Sequence, residues 1–300
     1  MLFSKARATA KLLRRNLSAI STGKINQPVK QTYFYKDKRI GERRSYGKPL
    51  ELKDGRTIHF EIADEKDEDL LLNQYLDGFV NQISYFRAFD ITHDDYRDLF
   101  REHVKMLLPV GGTMFGFHED NLVCFRLVTY HNHDDIPEVF GPLANPGDPP
   151  PVVEFPKDIG PLVNAGRTFR SVIVPNEART YYPRLSMVVL ELVEKQIGKF
   201  LPADVKNLAY AEGLFVHDEF QRNGISEYLS DVSDDLAIEH GCNYVANITV
   251  ATASTEMSKK RNFKTLFHIP YDQLYVNGEL EFKDLWDKNK GWSANLRKLY

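Results

Sequence analysis

The sequence has few cysteines and no long apolar run. Cys124 and Cys242 are the only two among 300 residues, too few for a disulfide framework or a cysteine-based zinc site, and they fit a reducing compartment. No stretch approaches the roughly 20 apolar residues that span a bilayer, so we expect no integral membrane protein. The net charge of -3 gives no indication of nucleic-acid binding. A hydrophobic content of 42% suits a globular chain with a sizeable core.

Acidic residues are absent from positions 1–36, which hold eight Lys or Arg, whereas the rest of the chain has 31 basic and 42 acidic residues. A basic, acid-free, amphipathic head is typical of a transit peptide, because basic residues interrupt the apolar stretch that a secretory signal needs. We therefore predict a mitochondrial-type presequence at 1–36. The alternative is a disordered basic arm on a cytoplasmic protein.

Regular patterns begin at Arg56, after a polar segment, 37–55, that we predict to be a linker. Hydrophobic periodicity and capping residues predict helices and strands in alternation after an initial hairpin. The strands are predicted at 56–63, 113–120, 122–131, 205–220, 243–251 and 264–271, and the main helices at 64–81, 93–108, 181–201 and 224–241. This order predicts one mixed α/β domain over 56–300, with a mostly antiparallel sheet flanked by helices.

A tight loop between the 205–220 strand and the next helix reads Gln221-Arg222-Asn223-Gly224-Ile225-Ser226. Such a loop leaves the first backbone N–H groups of the helix unpaired at the positive end of its dipole, where a phosphate binds well. Gly224 lets the backbone approach a ligand closely, and Ser226 is small enough to do the same. By itself the loop favours an ordinary turn, since it lacks both the G-x-G-x-x-G and the P-loop patterns.

The surroundings of the loop resemble motifs A and B of the GNAT acetyltransferase superfamily. Gln221 and Gly224 fill two positions of the Q/R-x-x-G-x-G/A loop, and Ser226 stands where Gly or Ala is usual. The strand before the loop ends in Leu214-Phe215-Val216, as in that family. The following strand, helix and strand match motif B, with Asn262 replacing a common glycine. The resemblance implies acetyl-CoA as co-substrate, held by Leu214, Val216, Gln221, Arg222, Asn223, Gly224 and Ser226.

The arylalkylamine N-acetyltransferase-like branch resembles this chain further, because it has a serine pair at the spacing of Ser254 and Ser258. Residues four apart share one helix face. The resemblance implies that this pair acts in catalysis, where other members have a tyrosine acid. The alternative is two ordinary exposed helix residues. No metal is implied: the run His131 to Asp135 resembles a ligand cluster, but no further ligand is evident.

A catalytic glutamate of that branch is replaced here by Gln82, and an amide is no general base. Glu212 is the best substitute, because some members of the superfamily use a glutamate on this strand. We expect its side chain to face the same side as Leu214 and Val216, within a largely apolar cleft. The alternative is a structural carboxylate paired with a nearby Arg or Lys.

The resemblance implies an N-acetyltransferase that transfers the acetyl group of acetyl-CoA to a primary amine, which an aromatic pocket would identify as an arylalkylamine. Two other functions stay open. One is a binding or regulatory protein that retains the fold and has lost the chemistry. The other is a protein-lysine acetyltransferase, which an acidic groove would favour. The oligomeric state is left open.

Overall fold

The computed structural model describes residues 28–145, 147–165, 181–283 and 285–300. Its strands are β1 (Tyr35–Lys36), β2 (Leu50–Glu51), β3 (Thr57–Ile62), β4 (Met114–His118), β5 (Asn121–Asn132), β6 (Asn207–Val216), β7 (Tyr244–Thr249), β8 (Lys264–Pro270), β9 (Tyr275–Val276), β10 (Glu279–Leu280) and β11 (Gly291–Lys298). The main sheet has the strand order β2-β3-β4-β5-β6-β7-β11-β8, and β1 pairs with β5. Every neighbouring pair is antiparallel except β6 and β7.

The helices cover both faces of this sheet. Among the described residues they are α1 (Glu68–Gln82), α2 (Ser84–Ala88), α3 (His93–Leu107), α4 (Ile136–Phe140), α5 (Gly160–Ala165), α6 (Tyr181–Ile197), α7 (Ile225–Glu239) and α8 (Thr252–Lys260). Helices α1, α3 and α6 bury their apolar sides in one large core cluster, and α7 packs on the opposite face in two smaller clusters. The predicted mixed α/β domain is confirmed.

Helix α3 begins where its sequence predicts. The hydroxyl of Thr92 accepts a hydrogen bond from the Asp95 backbone N–H, and the Asp95 carboxylate accepts one from the Thr92 N–H. This reciprocal pair satisfies two backbone donors that would otherwise be orphaned at the helix start. Seven-residue spacing then places Tyr96 and His103 on one side of the helix, two turns apart.

Residues 28–55 belong to the folded domain, which differs from the predicted presequence boundary and from the predicted linker at 37–55. Strand β1 pairs with β5, and β2 pairs with β3. Arg43 is buried and forms ion pairs with Asp37, Glu61 and Asp67 at 2.5–2.9 Å. Two of these carboxylates, Glu61 and Asp67, are distant from Arg43 in sequence, and a local composition cannot show such pairs. Positions 1–27 of the predicted presequence lie outside the described residues.

Strand β11 was not predicted from the sequence. It lies between β7 and β8 and pairs antiparallel with both. Apolar Trp292, Ala294 and Leu296 alternate with polar residues along it, which is the period-two pattern of a strand, and Gly291 to Leu296 are all buried. Within the described part of the chain, no helix has the length and apolarity needed to cross a bilayer.

Candidate active site

A cavity of about 130 Å³ lies between the sheet and helices α1, α3 and α6. Its walls are mainly aromatic and aliphatic, and two carboxylates and a histidine interrupt them. The aromatic side chains are Tyr75, Phe79, Tyr85, Phe86, Tyr96, Phe100, Tyr210 and Trp292, and the charged or titratable polar ones are His103, Glu194 and Glu212. A concave apolar pocket with a few converging polar groups is the usual form of a small-molecule site.

Glu212 lines this cavity together with Tyr210, two residues earlier on β6, and a bulge at Glu212 separates both from Leu214. Leu127 of β5 pairs with Gly213 and Val128 pairs with Ala211, so Glu212 has no residue opposite it on β5. An extra residue reverses the alternation of side chains along a strand. The expectation that Glu212 shares a side with Leu214 and Val216 is therefore wrong.

Leu214 and Val216 pack against the α7 cluster on the far face of the sheet. Their side chains belong to that core. For a ligand at this part of β6 they offer backbone groups.

Both carboxylate oxygens of Glu212 are engaged. Oε2 lies 2.8 Å from Nε2 of His103, and Oε1 accepts a hydrogen bond from the Thr129 hydroxyl at 2.9 Å. The hydroxyl of Tyr75 lies 3.3 Å from Nδ1 of His103. The geometry fits the tautomer with a proton on Nε2, which donates to Glu212 while Tyr75 donates to Nδ1. The chain Tyr75–His103–Glu212 thus fixes the carboxylate against the cavity.

His103 was not among the residues predicted from sequence. It lies 109 positions from Glu212, and α3 alone shows it only as a polar residue on a largely apolar side. The sole available signal was its spacing of seven from Tyr96. Gln82, by contrast, ends α1, and its neighbour Ile83 lines the cavity.

The ladder between β6 and β7 stops beside Glu212. Its last pair is Ala211 with Asn247, although β6 continues to Val216 and β7 continues to Thr249. From Glu212 onward, β6 has backbone N–H and C=O groups on its β7 side without a strand partner. Such groups can bind an extended ligand as a strand does.

The loop after β6 combines two left-handed residues with a helix start. Arg222 has φ +63° and Gly224 has φ +76°, and Gly224 caps the fifteen-residue helix α7. A Cβ on Gly224 would meet no protein atom within 4 Å, so this side of the loop is open. The unpaired N–H groups of the first helical turn, from Ile225 to Glu227, face outward at the positive end of the dipole.

The amide side chains of the loop brace it internally. Nε2 of Gln221 donates to the Val216 carbonyl at 3.1 Å, and Nδ2 of Asn223 donates to the Phe220 and Gln221 carbonyls at 3.2 Å. Ser226 accepts a hydrogen bond from Ser230 through its carbonyl, within the helix. The predicted phosphate cradle therefore consists of backbone, held in shape by these side chains.

The two predicted catalytic serines lie on α8, outside the residues that line the cavity. The Ser258 hydroxyl is buried and accepts a hydrogen bond from Nδ2 of Asn247 at 3.0 Å. Ser254 donates to the carbonyl of Ala251 at 2.8 Å, one turn earlier. Because Asn247 is the last β7 residue paired with β6, Ser258 lies at the base of the strand split.

The arginine next to the end of α8 is paired with carboxylates of α7. Arg261, at the end of α8, forms ion pairs with Asp231 at 2.7 Å and Asp234 at 2.5 Å on α7. Asn262 has φ +59°, the left-handed conformation expected of a glycine substitute.

Among the described residues no group of three or more His, Cys, Asp or Glu could hold a metal. In the run His131 to Asp135, Nε2 of His131 lies 3.0 Å from the Thr129 hydroxyl.

No family model and no curated protein matches this sequence. Solved structures do. Arylalkylamine N-acetyltransferase 2 from Aedes aegypti is 16% identical, with 81% of this chain and 99% of that one covered and a TM-score of 0.59. An agmatine N-acetyltransferase is 10% identical (80% and 99% covered, TM-score 0.56). The Drosophila melanogaster polyamine N-acetyltransferase is 9% identical (80% and 99% covered, TM-score 0.51). The chain has the GNAT fold of these enzymes.

Proposed function

We propose that this protein transfers the acetyl group of acetyl-CoA to the primary amine of an arylalkylamine. One observation carries the proposal: the Glu212 carboxylate faces an aromatic cavity at the point where the β6–β7 ladder ends. An ammonium group is drawn to a carboxylate in apolar surroundings, since low polarity strengthens their attraction. The open edge of β6 and the α7 loop supply backbone contacts for an extended, phosphate-bearing co-substrate.

The shape of the cavity supports a small aromatic amine over a protein tail. Its wall is built from packed aromatic rings: Tyr75 and Phe100 are stacked, with centroids 3.9 Å apart and an interplanar angle of 8°, and Phe86 and Tyr96 are tilted, with centroids 4.5 Å apart. An aryl ring packs well among such groups. A lysine side chain offers no ring to them. The similar structures act, by their names, on arylalkylamines, polyamines and agmatine.

In this mechanism Glu212 removes the proton that the ammonium group carries at neutral pH. His103 and Thr129 hold the two carboxylate oxygens, so the carboxylate keeps its orientation while it receives the proton. The freed amine nitrogen forms a bond to the thioester carbonyl carbon. The C–S bond breaks, and the sulfur takes a proton, for which the Ser258 hydroxyl is the proposed donor. The second proton, which the nitrogen loses as it becomes an amide, restores that hydroxyl. A backbone N–H on the open edge of β6 stabilises the transient oxyanion.

The test is single-turnover acetyl transfer, followed as thiol release, with a panel of arylalkylamines, polyamines and a lysine peptide. Glu212→Gln keeps the shape and removes the base, so the rate should fall by ~10²–10⁴-fold while acetyl-CoA still binds. Glu256→Gln, an exposed carboxylate on α8, is the matched control. Equal rates for the parent and Glu212→Gln would show that Glu212 is structural.

Gln82 motivates the alternative function, a coenzyme-binding protein without catalysis. Gln82→Glu would place a carboxylate at the end of α1, next to the cavity residue Ile83. If neither the parent nor Gln82→Glu acetylates any amine, yet both bind acetyl-CoA by calorimetry, the binding function is the better account. A parent that acetylates an arylalkylamine rejects it.

We also propose a mitochondrial location, which rests on the basic, acid-free composition of the N-terminal segment. Residues 1–27 fused to a fluorescent reporter should direct it to mitochondria. The matched control replaces the basic residues of that segment with glutamine. A reporter that stays diffuse in the cytosol with the unaltered segment contradicts the proposal.

A further inference from the structure

Two buried hydrogen-bond donors in the cavity wall have no partner. No described residue lies within normal hydrogen-bond distance and geometry of the Tyr96 hydroxyl or the Trp292 indole Nε1, although both residues are only 2% exposed. Both side chains line the cavity. Leaving a buried donor unpaired costs about 1–3 kcal/mol, so such groups are rare in folded proteins unless a ligand or water completes them.

The chemistry of the two groups defines what they would bind. Indole N–H is a donor only, so its partner must be an acceptor. Burial raises the pKa of Tyr96, so its hydroxyl stays protonated at neutral pH and can donate too. The neighbouring Ser186 donates instead to the Tyr182 carbonyl at 3.0 Å. A negatively charged acceptor is disfavoured, because the same cavity contains Glu194 and Glu212.

The position of these donors places the acceptor far from the reacting nitrogen. Tyr96 and His103 lie two turns apart on α3, roughly 10 Å along its axis. Packed aromatic rings fill the wall between them: Phe100 contacts Tyr96 edge to face, with 5.1 Å between the ring centroids, and stacks on Tyr75 at 3.9 Å. Trp292 lies beyond Tyr85, with 5.7 Å between their ring centroids.

We propose that Tyr96 and Trp292 form a distal subsite for a neutral oxygen on the aryl ring, so that the preferred amine is an arylalkylamine with a ring hydroxyl. This inference rests on the proposed function, because it takes the amine to lie at Glu212. The phenolic oxygen accepts from the indole N–H and from the Tyr96 hydroxyl. The aromatic wall between the two ends holds the ring.

The experiment compares tyramine with 4-methylphenethylamine, which replaces the hydroxyl by a methyl group of similar size. The parent should favour tyramine by about 10-fold to 100-fold in kcat/KM, since one unpaired buried donor accounts for a factor of that size. Trp292→Phe and Tyr96→Phe should each reduce this preference by several-fold. The loss should lie in KM, because both groups are remote from the reacting nitrogen.

Tyr271→Phe is the matched control, because it removes a buried tyrosine hydroxyl that does not line the cavity and instead donates to the Val250 carbonyl. It should leave the tyramine preference unchanged. Melting temperatures show whether each variant is folded. Equal kcat/KM for the two amines in the parent overturns the subsite, as does a preference that survives both Trp292→Phe and Tyr96→Phe.

Calorimetry separates this inference from the proposed function. If no amine is acetylated, the same two amines are titrated into the protein in the presence of CoA. Tighter binding of tyramine that depends on Trp292 supports the subsite while the proposed reaction fails. Acetylation without discrimination between the amines supports the reaction while the subsite fails. Neither activity nor discrimination in binding overturns both.

Discussion

Glu212 and Leu214, two residues apart on β6, face opposite sides of the sheet. In a regular strand they would share a side. The bulge opposite Leu127 and Val128 adds one residue, so Glu212 stays on the cavity side with Tyr210 while Leu214 packs against α7. Two residues that a regular strand would place on one face thus serve different purposes: Glu212 lines the cavity, and Leu214 belongs to the core under α7.

Coupling between Glu212 and His103 is the first prediction. Glu212→Gln and His103→Gln should each slow single-turnover acetyl transfer, and the double variant should be no slower than Glu212→Gln alone. Residues that act as a unit are non-additive, since the second loss removes nothing further. Effects that simply multiply would show that His103 acts independently of the carboxylate.

The phosphate cradle predicts a selective effect of Gly224→Val. A Cβ here projects into the open space where the ligand would lie, and φ of +76° strains any β-branched residue. Affinity for acetyl-CoA should fall by at least ~10-fold, or about 1.4 kcal/mol. Gly55→Val is the matched control, because it has φ +87° and an equally open Cβ position in the β2–β3 turn. Calorimetry showing equal losses for both variants would point to backbone strain alone.

The N-terminal segment predicts different outcomes for two truncations. The hydroxyls of Tyr33 and Tyr35 donate to the buried Asp77 carboxylate at 2.6 and 2.5 Å. Deletion of 1–40 removes both donors and leaves a buried charge poorly paired, which is strongly destabilising. It should lower the melting temperature by roughly 5–10 °C. Deletion of 1–27 keeps these contacts and should change it by less than about 2 °C. A stable 1–40 deletion would show that the segment contributes nothing.

The buried His217 is expected to make the protein less stable to unfolding at acid pH. It is fully buried, its Nε2 lies 3.1 Å from the Tyr33 carbonyl, and burial lowers its pKa from 6.5. Below about pH 6.5 the unfolded chain therefore binds a proton that the folded chain does not, so the free energy of unfolding decreases as pH falls, by up to ~1.4 kcal/mol per pH unit. His217→Gln should make this slope shallower in urea unfolding at pH 7.5 and 5.5. The exposed His59→Gln should not.

Replacement of the buried Arg126 is expected not to destabilise the fold. Its side chain is buried, its Nε has no hydrogen-bond partner among the described residues, and burial lowers its pKa to about 10. A buried charge with incomplete pairing opposes folding. Arg126→Met should therefore leave the free energy of unfolding unchanged or raise it by about 1–3 kcal/mol. A large loss in urea unfolding would mean that Arg126 is fully paired through Asp234.

Local patterns predicted much of this fold. The Thr92 cap, the hairpin and α7 follow from side-chain periodicity and capping chemistry, which depend on neighbouring residues only. The bulge at Glu212 has no such signal, because it is defined by the register of β5. The pairing of Arg43 with Glu61 and Asp67 likewise depends on the tertiary fold.

The candidate site also has one part that the sequence predicts and another that depends on the tertiary fold. The backbone loop around Gly224 could be predicted, since a helix start exposes its N–H groups whatever surrounds it. The partners of Glu212 could not, because His103, Thr129 and Tyr75 come from three other elements. Nor does sequence show that Trp292 and Tyr96 line one wall, which follows from the place of β11 in the sheet.

The insertion of β11 also imposes an order of assembly. Within the described chain, β8 joins the main sheet only through β11, so a chain folded as far as residue 270 has made the strand but has nowhere to add it. Until β11 arrives, the edge of β7 stays exposed, and an exposed edge can pair with another chain. Trp292 arrives with β11, so the cavity acquires its far wall at the same step that completes the sheet.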